Sequence, residues 1–139
     1  MQHFHVIQQG NQCQISPIWN SRAEGDIKGV AELQDGSQVV AVGSGGVTWF
    51  SCGKNAGAVA RLVPLCSQGY SMCKEERDDK CKIVVGLLDG HVLVLDWDSG
   101  IIEKQLWVFG GAVSTVCVRE GVVFAGGVDG GIVSFDLWE

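Results

Sequence analysis

The sequence has few basic residues, only two prolines and no long apolar run. Ten Lys and Arg residues against sixteen Asp and Glu residues give a formal net charge of −6. Non-specific nucleic-acid binding needs a basic surface that displaces counterions from the phosphates. No run of Lys or Arg is longer than two residues. We therefore expect no nucleic-acid partner.

Membrane and secretion signals are also missing. No apolar stretch approaches the ~18 residues that are needed to span a bilayer. The first residues lack the charged segment and long apolar segment of a signal peptide. We expect no membrane partner and a location in the cytoplasm or nucleus. In such a reducing compartment, most of the six cysteines are expected to be small buried thiols, with Cys66 and Cys117 inside strands.

Groups that could form an active site or a metal site are scarce. The three histidines have no evident nucleophile or base as a partner, which argues against His91 as a catalytic residue. Cys66, Cys73, Cys81 and His91 do not have the paired spacing of a structural zinc site. The glycines of residues 126–131 lack the Lys-Ser/Thr pair of a phosphate-binding loop and precede a strand. The sequence predicts no enzyme, no catalytic residue, no metal and no cofactor.

Glycine is abundant, with twenty residues, and it marks a segment that occurs three times. The segment is a β run, a glycine-containing turn and a second β run, found at residues 39–50, 83–96 and 123–136. The hairpin glycines Gly43, Gly86 and Gly126 lie 43 and 40 residues apart. Such spacing indicates a repeat protein, in which each unit buries its apolar face on its neighbours.

The repeats divide the chain into units of short strands. We expect about eleven strands and no helix, with hairpin turns at 89–90 and 129–130. The expected units are a partial one at 1–18, one at 27–51 that lacks its fourth strand, one at 58–108, and a partial one at 112–139. Residues 67–80 are the most polar stretch of the chain, and we interpret them as an inserted surface loop.

The third run of each unit resembles a known family. Residues 92–100, Val-Leu-Val-Leu-Asp-Trp-Asp-Ser-Gly, and residues 132–136, Ile-Val-Ser-Phe-Asp, are similar to the third strand of WD40 blades. The Gly-His pair that such blades carry before the first strand is absent, because Gly57-Ala58 and Gly111-Ala112 stand there. The resemblance implies an all-β, partial β-propeller of four-stranded antiparallel blades.

The resemblance also implies a function. WD40-like blades imply a non-catalytic scaffold for protein–protein interaction. Fewer than four blades do not close a propeller, so we expect a fragment, an isoform or a subunit of a larger assembly. Its expected partners are other proteins, which include a second copy or a second chain that completes the propeller. The alternative is a quinoprotein-like propeller that binds a small molecule or acts as an enzyme.

Two features are candidates for partner binding. Trp97 follows an alternating run and lies beside two aspartates, so its ring edge is expected to face solvent, whereas the other tryptophans are expected in the core. The charged part of the predicted loop is the second candidate. It comprises Lys74, Glu75, Glu76, Arg77, Asp78 and Asp79.

Overall fold

Strands form where apolar residues alternate or run continuously between glycine- and aspartate-containing turns. The computed structural model describes residues 2–9, 12–23, 25–33, 35–52 and 56–139, and only the backbone of residues 2–9 and 12–20. Every regular element among these residues is a β-strand, so they contain no helix that could span a membrane. The strands are β1 (Gln2–Gln9), β2 (Gln12–Asn20), β3 (Ile27–Glu32), β4 (Gln38–Gly43), β5 (Gly46–Ser51), β6 (Val59–Val63), β7 (Gly69–Arg77), β8 (Lys80–Leu87), β9 (His91–Asp96), β10 (Ile102–Trp107), β11 (Val113–Arg119), β12 (Val122–Gly127) and β13 (Ile132–Asp136).

The strands form antiparallel sheets of consecutive strands. β1 pairs with β2 in an N-terminal hairpin, whose predicted turn includes residues 10 and 11, outside the described residues. The first sheet has the order β3-β4-β5-β6, the second β7-β8-β9-β10 and the third β11-β12-β13. This arrangement confirms the predicted fold class, an all-β partial propeller of four-stranded antiparallel blades.

The three repeated hairpins lie where the glycine pattern predicts them. They are β4–β5, β8–β9 and β12–β13. Gly90 and Gly130 have φ of 93° and 94°, so each turn uses the left-handed conformation that glycine favours. The carboxylates of Asp89 and Asp129 accept hydrogen bonds from the amides of His91 and Gly131, which fixes both turns.

The predicted loop at 67–80 is wrong, because most of it forms strand β7. This strand pairs with β8 from Gly69 opposite Leu87 to Arg77 opposite Lys80. The turn is only Asp78–Asp79, and Asp78 has a φ of 55° that aspartate tolerates. The stretch is polar because the end of this hairpin is more exposed than the apolar centre of the sheet.

The predicted unit at 58–108 begins too early, because the apolar run at 58–65 belongs to the sheet before it. Its strand β6 pairs with β5, so it is the fourth strand of the first sheet and does not lead the second. The amide of Ser51, at the end of β5, donates to the carbonyl oxygen of Ala58, just before β6, at 2.8 Å. The innermost strands begin at Ile27, Gly69 and Val113, at intervals close to those of the hairpin glycines. The regular repeat therefore has no inserted loop.

Two apolar cores lie between the sheets. Alternation along β8 directs Ile83 and Val85 towards the first sheet and Val84 towards the third. The first core also contains Val40, Val42, Trp49, Leu93, Leu95 and Trp97. The second contains Val92, Val94, Val113, Val123, Ala125 and Leu137. The continuous apolar run of β8 is thus explained by burial on both faces of the second sheet.

The cysteines agree only in part with the expectation of buried thiols. Cys81 is buried and Cys73 half-buried, and burial raises the pKa of each thiol to about 12. Cys66 is exposed and lies in the bend after β6, outside any strand. Cys117 is inside β11 as expected, but its side chain is exposed because it alternates with the buried Val116.

Candidate protein-binding surface

Trp97 is buried at the interface of the first and second sheets, so the prediction that its edge faces solvent is wrong. Its indole Nε1 donates to Oε1 of Gln38 at 2.9 Å. Its carbonyl oxygen accepts from Nε1 of Trp49 at 3.0 Å and from Nη1 of Arg61 at 3.2 Å. Three side chains of the first sheet therefore bind this one residue. We call this set of hydrogen bonds, between Trp97 and Gln38, Trp49 and Arg61, the first latch.

An equivalent latch joins the second sheet to the third. Nζ of Lys104, on the fourth strand of the second sheet, approaches the carbonyl oxygens of Asp136 at 3.2 Å and Leu137 at 3.4 Å. Nε1 of Trp138 donates to Oε1 of Glu75 at 2.9 Å, as Trp97 donates to Gln38. We call the contacts of Lys104 and Glu75 with the end of β13 the second latch. In each latch a cation and a tryptophan bind at the end of the third strand of a sheet, β9 or β13.

The predictions from the sequence did not include these latches. The available signal was the recurrence of tryptophan just after the third-strand aspartate, at Trp97 after Asp96 and at Trp138 after Asp136. Its acceptors could not be identified from the sequence, because Gln38 and Glu75 lie 59 and 63 residues from their donors.

The six charged candidates at 74–79 have different roles. Glu75 faces the third sheet, where its Oε2 also accepts from the amide of Gly121 at 3.1 Å. The guanidinium of Arg77 lies 4.8 Å from the ring centroid of Trp138. Glu75 belongs to the second latch, and Arg77 contacts its tryptophan. Lys74 and Glu76 alternate to the other side of β7, where Nζ of Lys74 lies 2.6 Å from Oε2 of Glu76.

The Asp78–Asp79 turn separates two clefts. A cleft of about 310 Å³ is lined by Arg77, Asp78, Asp79, Lys80 and the ring of Trp138. A second cleft, of about 190 Å³, is lined by Leu33, Asp35, Glu76, Asp78, Asp79, Lys80, Cys81 and Asp98. We call these two clefts and the turn between them the rim surface.

Asp35 contributes a fixed negative charge to the rim surface. Its Oδ1 accepts hydrogen bonds from the hydroxyl of Ser37 at 2.7 Å and from the Ser37 amide at 2.9 Å. Both bonds lower the pKa of the Asp35 carboxyl, the side-chain bond more than the backbone one. Asp35 therefore stays ionised at neutral pH and adds to the charge of the acidic cleft.

The metal-ligating residue types considered from the sequence do not come together in the described part of the chain. No group of three or more His, Cys, Asp or Glu side chains there is arranged to hold a metal ion. Nδ1 of His91 lies 3.1 Å from Oδ1 of Asp89 inside a hairpin turn. The histidine is thus accounted for by the turn that it flanks.

The remaining tryptophans also differ in environment. Trp49 is buried in the first core, as expected, and Trp138 is half-buried against the second. Trp107 is 68% exposed near the end of β10, so its predicted place in the core is wrong. The side chain of Trp19 lies outside the described residues. Burial therefore depends on the position of each tryptophan in its sheet.

Together, the three stacked sheets and their repeated latches define a chain of propeller-type blades. No protein-family model matches the sequence, and no curated protein sequence matches it. Comparison of the fold with solved structures does find similar proteins. They include Sqt1, a WD40 protein.

The Chaetomium thermophilum Sqt1 structure, bound to the N-terminus of ribosomal protein L10, has a TM-score of 0.72 and 20% identity. It aligns over 84% of this chain and 32% of its own. The Saccharomyces cerevisiae Sqt1 structure gives 0.71 and 17%, over 84% of this chain and 33% of its own. The chain thus spans about a third of the length of these Sqt1 chains. The computationally designed Ika4 protein gives 0.70 and 16%, over 83% and 68% of the two chains. At these identities the similarity shows the fold.

Proposed function

We propose that this chain is a non-catalytic, protein-binding module of WD-repeat type that acts as a scaffold within a larger assembly. The observation that carries the proposal is the rim surface. It presents carboxylates and the ring of Trp138 on strands that the latches hold in place. The latches fix β7 and Trp138 on either side of the interface between the second and third sheets, so the clefts exist before a partner binds. Preformed sites lose less conformational entropy on binding.

The rim surface also defines the chemistry of the partner. Carboxylates of Asp78 and Asp79 stand between a cleft with further acidic groups and a cleft with the Trp138 ring. A protein segment with Lys or Arg beside an aromatic or aliphatic side chain complements both. The Sqt1 structure with a bound ribosomal-protein segment supports protein binding by a chain of this fold. Exposed Cys66 and Cys117, both free thiols, favour a reducing compartment such as the cytoplasm or nucleus.

Affinity capture tests the proposal. The tagged chain is incubated with cell extract, and the retained proteins are quantified by mass spectrometry for wild type and for Asp78→Asn/Asp79→Asn. Asparagine tolerates the positive φ of residue 78, so the turn is preserved while two charges are removed. The matched control, Asp26→Asn/Glu32→Gln, removes two exposed charges that line neither cleft of the rim surface.

We expect specific proteins to be retained by wild type and by the control and to be lost from the rim variant. Equal retention by the two variants, or none above the bare resin, would contradict the proposal. The absorbance spectrum of the purified chain gives a separate test of the non-catalytic role. A quinone or metal band that co-purifies with the protein at equal molarity would favour the quinoprotein-like alternative.

A further inference from the structure

The third sheet has one face that no other part of the described chain covers. Alternation along β12 directs Val123 and Ala125 into the second core and Phe124, between them, to solvent. Three rows of paired residues cross this open face. They are Thr115, Gly126 and Ile132, then Cys117, Phe124 and Ser134, and then Arg119, Val122 and Asp136.

The faces of the first and second sheets are buried at their centres. Both faces of the second sheet lie in the two cores. The face of the first sheet that points away from the second is buried as well, with Val39, Ala41 and Phe50 each at most 3% exposed. On the open face of the third sheet, by contrast, Phe124 is 43% and Ile132 79% exposed. An exposed apolar sheet face of this kind favours association.

We propose that the open face of the third sheet binds the same face of a second copy of this chain, about a two-fold axis parallel to β12. A two-fold interface uses one patch on both subunits, so it needs no second complementary surface. Among the three sheets whose side chains the structure describes, this face is the open one, which fits this symmetry. The association would close at a dimer and not grow into a fibre.

The charges on the face identify the second copy as the occupant. Arg119 on β11 and Asp136 on β13 stand on either side of Val122, about 10 Å apart by the usual strand spacing. Neither forms an ion pair with a described side chain, and Oδ1 of Asp136 accepts one hydrogen bond, from the amide of Trp138 at 3.0 Å. Rotation about an axis parallel to β12 exchanges the sides of β11 and β13 and keeps the height along the strands. Arg119 then faces the partner's Asp136, and the pair occurs twice.

The same charges disfavour the other in-plane arrangement. An axis perpendicular to the strands would bring Arg119 opposite Thr115 and Asp136 opposite Ile132. Two charges would then lose water without gaining a partner, which is costly. In the proposed arrangement, Phe124 lies near the axis and packs against the partner's Phe124.

The size of the face sets the expected strength. Three strands and five residue steps span about 14 by 17 Å, which is smaller than a standard stable interface. We therefore expect a weak dimer, with a dissociation constant of about 0.1 mM. This inference is independent of the proposed function, because the rim surface and the open face use different residues.

The first test is the mass in solution as a function of concentration. Sedimentation equilibrium from about 10 µM to about 1 mM covers the affinity expected for so small an interface. Wild type should pass from monomer to dimer, and Phe124→Glu should weaken the dimer at least ~10-fold because it places two carboxylates together at the axis. The matched control is Trp107→Glu, which changes an exposed aromatic residue outside the face and should leave the dimer unchanged.

The second test examines the cross-subunit charge pairs. Arg119→Asp and Asp136→Lys each place like charges opposite one another and should each weaken self-association about tenfold. An equimolar mixture of the two variants pairs opposite charges at both positions, so the mixture should form a heterodimer at wild-type concentrations. Circular dichroism verifies that each variant is folded.

Three results would overturn the inference. They are a wild-type chain that stays monomeric up to about 1 mM, a Phe124→Glu variant that dimerises like Trp107→Glu, and a mixture that associates no better than its components. Alkylation of Cys117 gives an additional readout. Its rate should fall as dimer forms, while that of Cys66, which lies outside the face, should not change.

Discussion

Trp97 is expected to contribute strongly to stability, because it is large, fully buried and hydrogen-bonded. Trp97→Ala leaves a large cavity in the first core and removes the indole donor to Gln38. We expect the free energy of unfolding to fall by about 3–5 kcal/mol, measured by urea denaturation. Trp107→Ala is the matched control, because its ring is mostly exposed. Its effect should lie within about 0.5 kcal/mol, and equal effects of the two changes would contradict the assigned positions.

Thiol reactivity should separate the cysteines by burial. At pH 8, a thiol with a pKa of about 12 is ionised to only about one part in ten thousand, and the thiolate is the reactive form. Iodoacetamide should therefore modify exposed Cys66 in the native protein and leave Cys73 and Cys81 unmodified, as measured by peptide mass spectrometry. In urea, all three should react. Rapid modification of Cys81 in the folded state would disagree with its burial.

At the scale of elements, the two Asp-Gly turns make different demands on their glycines. Gly90 and Gly130 have nearly the same positive φ, but only at Gly90 would an added Cβ overlap another atom, the carbonyl oxygen of Phe109. Gly130→Ala should cost about 1–2 kcal/mol from backbone strain. Gly90→Ala should cost about 1–3 kcal/mol more, because the neighbouring backbone must move. Thermal or urea unfolding of the two variants compares them, and equal losses would refute the steric explanation.

The hairpins could be predicted from the sequence, but the sheet to which each strand belongs could not. The turns depend on local chemistry, since glycine and aspartate favour the required conformations whatever surrounds them. The assignment of β6 to a sheet depends on its pairing with β5, and its apolar pattern resembles that of a leading strand equally well. β7 was missed because its polar end, Lys74–Arg77, gains its strand conformation from pairing with β8.

At the scale of the whole molecule, the latches join neighbouring sheets through residues that are distant in sequence. Glu75→Ala should leave the buried amide of Gly121 and the indole of Trp138 without their acceptor. We expect a loss of about 1–3 kcal/mol in the free energy of unfolding. Glu103→Ala removes a more exposed ion pair with Lys82 and should cost less than about 1 kcal/mol. A Glu75 effect as small as that of the control would show that the latch does not contribute.

The latches also explain why the candidate site was only partly predictable. Composition identified 74–79 as the most charged segment, and Asp78 and Asp79 are indeed at the surface. The roles of Glu75 and Arg77 depend on Trp138, and the burial of Trp97 depends on the first sheet. The local sequence does not predict these contacts, because they form only when the sheets pack against one another.

The two-sided burial of β8 has a consequence for cooperativity. Ile83 and Val85 belong to one core and Val84 to the other, so neither core can lose this strand alone. Stacked repeats often unfold as units coupled only to their nearest neighbours. Here the middle sheet couples both interfaces, because β9 also places Leu93 and Leu95 in one core and Val92 and Val94 in the other. Its opening would expose both cores at once. The third sheet, with one open face, can therefore fray separately, whereas loss of the middle sheet exposes both cores together.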